Sequence, residues 1–79
     1  MNNQADEVIL ETVEMPEKWK DAIRFCQSPR TVATIAARHM TSYAYAGNMM
    51  AVLKAGEWVK RDIDQNCKRA YITHPRVKL

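Results

Sequence analysis

The spacing of apolar positions changes along the chain, and each change marks an element. Between Pro16 and Gln27, Trp19, Ala22, Ile23 and Cys26 recur at steps of three and four, with Lys18, Lys20, Asp21 and Arg24 on other faces. That period predicts an amphipathic helix. Pro16 suits its first position, where a missing N–H costs nothing, and Glu17 suits the helix dipole. Gln27, Ser28 and Pro29 end it, and the stub at Pro29 and Arg30 is expected to be extended. Thr31 is a good N-cap, because its hydroxyl accepts a bond from a first-turn amide. Val32, Ile35, Ala36 and Met40 then form the apolar face of a second helix. Thr41 and Ser42 offer the cap of a third, spanning 41–55, with Ala44, Tyr45, Met49, Val52 and Leu53 at helical steps. Gly56 is expected to close it in the left-handed conformation. Two short helices across a tight turn outline a helix-turn-helix.

Beyond Gly56 the pattern favours strands. Trp58 and Val59 begin a run of strand formers, Asp64, Gln65 and Asn66 are turn residues, and residues 69–73 form a second run, so a β-hairpin is expected. Pro75 ends it, leaving RVKL as a short basic tail. Before Pro16, EVILETVEM reads either as a strand, on its β-branched content, or as an extra helix. Residues 1–7 are polar and expected to fray. The expected fold is α+β, mainly α: three helices and a C-terminal hairpin in one domain over 1–79.

The 79 residues suffice for one small domain with a thin stability margin. The net charge of +3 is mild, but its distribution is uneven. The first fifteen residues carry Asp6, Glu7, Glu11 and Glu14 and no base; past residue 53 come Lys54, Lys60, Arg61, Lys68, Arg69, Arg76 and Lys78 against Glu57, Asp62 and Asp64. A basic C-terminal half fits a face suited to phosphate. Cys26 falls on the inner side of the first helix and reads as a small core residue. Cys67 lies near the hairpin tip, with only Lys68 and Arg69 nearby to favour a thiolate. Neither cysteine belongs to a CxxC pair, and His39 and His74 supply no zinc-finger spacing. No metal, cofactor or small-molecule ligand is expected. No nucleophile–base pair or phosphate loop appears, so an enzyme is not expected. With no signal peptide and no long apolar run, the expected setting is the cytoplasm, with reduced thiols and no membrane contact. Arg38 and His39 suit the end of the second helix. Of the methionines, Met40 and Met49 are expected in the core and Met50 at the surface; Tyr45 is assigned to the core and Tyr43 to the surface.

A helix-turn-helix followed at once by a charged hairpin resembles a winged helix-turn-helix domain over roughly residues 16–73. The ending LKAGEWVKRDIDQNCKRAYIT is similar to bacterial regulators of the multiple-antibiotic-resistance (MarR) type. In those, the recognition helix ends in Leu-x-x-x-Gly, an apolar pair leads into the wing, and the wing carries Asp and Arg. Val52 stands at that leucine with Leu53 beside it, Gly56 at the glycine, Trp58 and Val59 at the apolar pair, and Asp64, Lys68 and Arg69 at the wing tip. The long dimerisation helices of that type have no room in this chain, so the resemblance is to a minimal bacterial, plasmid or phage regulator. It implies that helix 41–55 enters a major groove and that wing 60–72 reaches the flanking backbone or minor groove.

The physical case agrees. A helix fits the major groove. Asn48 can pair with adenine, and Ser42 and Tyr43 can meet phosphate or base edges. Thr31, Thr41 and Ser42 lie at helix N-termini, whose free amides attract phosphate. Arg30, Arg38, Lys54, Lys60, Arg61, Lys68 and Arg69 are candidate phosphate neutralisers. Gly47 permits close backbone approach. The expected function is sequence-specific binding of double-stranded DNA as a transcriptional regulator, by a homodimer on a two-fold site, with segment 8–15 as the dimer element. The alternative is a winged-helix protein-interaction module, since Ala46, Gly47 and Met50 leave the third helix short of polar groups.

Overall fold

A computed structural model describes residues 7–79. In chain order these form β1 (Val8–Ile9), a 3-10 turn (Leu10–Thr12), α1 (Glu17–Phe25), α2 (Val32–His39), α3 (Tyr43–Ala55), β2 (Val59–Ile63), β3 (Arg69–Thr73) and β4 (Val77–Lys78). The fold is α+β and mainly helical: three helices and a small antiparallel hairpin. The fraying expected for residues 1–7 falls, except at Glu7, outside the described residues.

The caps are where the sequence puts them. Thr31 Oγ1 accepts from the Thr34 amide at 3.2 Å, and Ser42 Oγ accepts from the Tyr45 amide at 3.0 Å. Each hydroxyl satisfies a donor that the first turn leaves unpaired. Pro16 stands at the N-cap of α1, one place before the expected first position, and its carbonyl accepts from the Trp19 and Lys20 amides.

The hairpin pairs Val59 with Thr73 and Ile63 with Arg69 at its two ends. Its tip is held by Asp64, whose Oδ1 accepts from the Asn66 and Lys68 amides at 2.9 Å each. Cys67 takes a left-handed φ of 62° there. The extended stub pairs as well: Arg30 exchanges both backbone bonds with Tyr71, at 3.0 and 2.9 Å, so β3 lies between β2 and the residue joining α1 to α2. Thr73 fastens the same strand to α1 through the carbonyls of Ile23 and Cys26.

Segment 7–15 resolves as a two-residue strand and a 3-10 turn rather than a helix. Its strand runs parallel to β4 of the same chain, with Val8 opposite Val77 and Ile9 opposite Lys78. Leu10 is fully buried and anchors the turn. The C-terminal residues are therefore not a loose tail: Val77 is buried.

The core joins Leu10, Ile23, Cys26, Ile35, Met49, Met50, Leu53 and Val59. Several expectations are corrected here. Met50 is fully buried, whereas Met40 is 92% exposed. The reason is local: Met40 ends α2 at a left-handed φ of 55°, which swings its side chain off the apolar face. The inner face of α3 is Ala46, Met49, Met50 and Leu53, not Ala44, Tyr45 and Val52, which are exposed. Val52, expected at the leucine of the MarR-type ending, is thus exposed, and its neighbour Leu53 is the buried residue. Tyr45 remains at the surface, where its hydroxyl oxygen accepts from Trp19 Nε1 at 3.2 Å. Gly56 keeps φ at −85°, and Glu57 takes the left-handed turn at 64°. What Gly56 supplies is room, since a Cβ there would lie 3.0 Å from Trp58 Cδ1.

A polar cluster ties α1 to α2. Arg38 donates Nε and Nη2 to the two carboxylate oxygens of Asp21 at 2.8 and 3.1 Å, and His39 Nε2 lies 2.7 Å from Asp21 Oδ2. The Arg38 guanidinium beside Asp21 lowers its pKa from 3.8 to about 2, with His39 adding to the effect against the opposing pull of burial. A depressed folded-state pKa gives stability that is complete above the unfolded value and lost as pH falls through the folded one. Stability should therefore fall between about pH 4 and pH 2 in the wild type. In Asp21→Asn that component of the fall should vanish, with a difference of about 1 kcal/mol at neutral pH after solvent screening. Urea midpoints across that range measure it, and parallel pH profiles for the two proteins would refute it.

Candidate nucleic-acid interface

The start of α2, the start of α3 and the hairpin meet around a cleft of about 440 Å³. Thr31, Val32 and Ala33 line it from α2, and Tyr43 from α3. Arg61, Lys68, Arg69 and Tyr71 line it from the hairpin, with Ala70 at its base. These positions come together because the caps at Thr31 and Ser42 start both helices beside the hairpin, and because the Arg30–Tyr71 bridge locks β3 against the start of α2. Tyr43 is 66% exposed. Arg61 lies opposite Tyr71 in the ladder, its guanidinium carbon 5.5 Å from the ring centre.

A second cleft of about 310 Å³ shares Thr31 and lies between the α1–α2 connection, at Ser28 and Arg30, and the hairpin tip, at Asp64 and Asn66.

The cations divide into two groups. Arg24 pairs with Glu11 and Glu17, Arg38 with Asp21, Arg76 with Glu57 and Lys78 with Glu7. Lys18, Lys20, Arg30, Lys54, Lys60, Arg61, Lys68 and Arg69 make no ion pair among the described residues, and of these Lys18, Lys54, Lys60, Arg61, Lys68 and Arg69 are exposed. Asp64 Oδ1 accepts from the tip amides and makes no ion pair, but its charge and that of the exposed Asp62 remain on the hairpin beside these bases. Five of these eight cations lie on the hairpin and the end of α3, where they can attract a polyanion.

Of the residues expected to touch DNA, the structure brings Thr31, Tyr43, Arg61, Lys68 and Arg69 to one cleft. Ser42 caps α3 beside it, and Thr41 lies in the preceding turn, where its hydroxyl donates to the Ser42 carbonyl. Asn48, Lys54 and Lys60 are exposed but lie outside the cleft. Arg30 is turned inward: Nε donates to the Phe25 carbonyl at 3.0 Å and the guanidinium stacks 4.2 Å from the Phe25 ring. Arg38 sits on the same ring at 4.4 Å and is bound to Asp21. Gly47 packs toward α2, where a Cβ would meet only Val32 Cγ1 at an ordinary 3.9 Å, so no contact within the chain requires glycine there. Tyr71 was missed. The period-two alternation of β3 puts it on the face of Arg69, which is the signal that could have found it.

Burial pushes the Cys26 thiol up to about 12, leaving it protonated and inert, whereas Cys67 is exposed at the hairpin tip. Among the described residues no helix is long and apolar enough to cross a membrane. No protein-family model matches the chain, and neither curated proteins nor solved structures give a match.

Proposed function

We propose that this protein is a minimal winged helix-turn-helix DNA-binding protein of the kind found among bacterial and phage transcriptional regulators. Helix α2, helix α3 and the hairpin follow one another in the chain, as a winged helix-turn-helix requires, and the Arg30–Tyr71 bridge ties the hairpin to the residue before α2. The observation that carries the reading is the single cleft shared by Tyr43, at the start of α3, with Arg61, Lys68 and Arg69 of the hairpin. In such a complex α3 lies in the major groove and the hairpin cations sit against flanking phosphates. A two-fold operator would engage two copies.

One observation favours the protein-interaction alternative. The face of α3 directed away from the core carries Ala44, Asn48, Ala51 and Ala55, with Asn48 its one polar side chain. Titration of a labelled random duplex at low and at moderate salt separates the two. DNA binding predicts measurable affinity whose logarithm falls linearly with the logarithm of salt concentration. Absence of binding at low salt would refute it and leave the protein-partner alternative.

A further inference from the structure

We propose that the cleft between Tyr43 and the hairpin holds an unpaired nucleotide, so that the protein binds a duplex bearing a single-stranded flank more tightly than a blunt one. This rests on the DNA-binding role above and names the form of DNA it prefers. The outward face of α3 offers one side chain, Asn48, able to hydrogen-bond a base edge; its alanines offer at most methyl contacts to thymine. The aromatic and cationic side chains are instead gathered in the cleft. Tyr43, two-thirds exposed, contributes nothing to the core. Tyr71, on the hairpin side of the same cleft, carries the Arg61 guanidinium over its ring, and Lys68 and Arg69 line the cleft as well.

Aromatic faces framed by cations complement an unstacked base and its phosphate. A base inside a duplex is already stacked on both faces and has none to offer. The volume of about 440 Å³ lies in the range of pockets that take a small organic molecule. The adjoining cleft shares Thr31 and is lined by Ser28, Arg30, Thr34, Gln65 and Asn66 as well as by Asp64, so a strand leaving the first cleft meets further polar groups, one of them a carboxylate. That continuity favours a polymer over a free nucleotide.

The test compares a labelled blunt duplex with the same duplex carrying an unpaired tail, by fluorescence anisotropy. One stacked base should tighten binding of the tailed probe about tenfold. Tyr43→Ala should abolish that ratio, and Tyr43→Phe, which keeps the aromatic face, should preserve it. Equal binding of both probes, or a ratio that survives Tyr43→Ala, overturns the proposal while the DNA-binding role stands. Binding of neither probe overturns both. Loss of the tail's advantage on adding a nucleoside monophosphate would assign the cleft to a free nucleotide and overturn the polymer proposal.

Discussion

Met50→Ala is expected to cost about 3 kcal/mol of stability, while Met40→Ala costs less than about 0.5 kcal/mol. Both replace the same side chain in neighbouring helical elements, so the contrast isolates environment from chemistry. Met50 is fully buried in the core, and truncation leaves a cavity that a close-packed interior closes only in part. Met40 is 92% exposed, and alanine adopts its left-handed φ no less readily than methionine does. For 79 residues the whole folding free energy is of order 4–12 kcal/mol. Met50→Ala should then lower the melting temperature by more than about 10 °C, with Met40→Ala within a few degrees of wild type. Thermal melts followed by circular dichroism measure both. Equal shifts for the two variants would contradict the packing of α3 described above.

That pair of methionines also shows where the sequence stops being legible. The helix starts at Thr31 and Ser42 and the turn at Asp64 could be read directly, because a cap or a turn is a local bargain between one side chain and nearby amides. The inner face of α3 could not. Residues 43–53 read YAYAGNMMAVL, apolar at nearly every position, so the period that reveals a helix carries no phase. An error of one residue rotates the assignment by about 100°, enough to exchange Met50 for Val52. Packing against α2 and the hairpin supplies the phase, and that is tertiary information. The C-terminal strand was hidden for a similar reason, since Val77 gains its partner Val8 only when both ends of the chain meet.

The candidate site was legible in its charges and not in its geometry. Lys68 and Arg69 stand out in the sequence as bases at a hairpin tip; Lys68 lies at the tip and Arg69 opens β3 beside it, paired with Ile63. Which cations remain available is set by partners remote in sequence. Asp21 removes Arg38 from seventeen residues away, and the Phe25 carbonyl and ring hold Arg30. The sequence therefore overcounted the phosphate contacts from the α1–α2 region and undercounted the aromatic wall at Tyr71.

Removing Arg61, Lys68 and Arg69 together is expected to weaken duplex binding by between about 100- and 1,000-fold at ~0.1 M salt. The size follows from counterion release. Each phosphate neutralised by a basic side chain contributes about −0.9 to the slope of log affinity against log salt, so three lost contacts flatten the slope by about 2.7. Over the decade separating 0.1 M from 1 M salt, that slope corresponds to nearly three powers of ten, roughly the loss stated. The fold should survive the triple alanine variant, because the side chains are exposed and Lys68 holds the hairpin tip through its backbone N–H and C=O. Lys18→Ala/Lys20→Ala is the matched control. It takes charge from α1, where Lys18 lies over Tyr45 and Lys20 reaches the Glu11 carbonyl, both outside the cleft. Affinity measured across a salt series should flatten for the cleft variant and keep its wild-type slope for the α1 variant. If the two variants lose slope alike, the attraction is a property of net charge, and the convergence of Tyr43 with the hairpin bases has no part in binding.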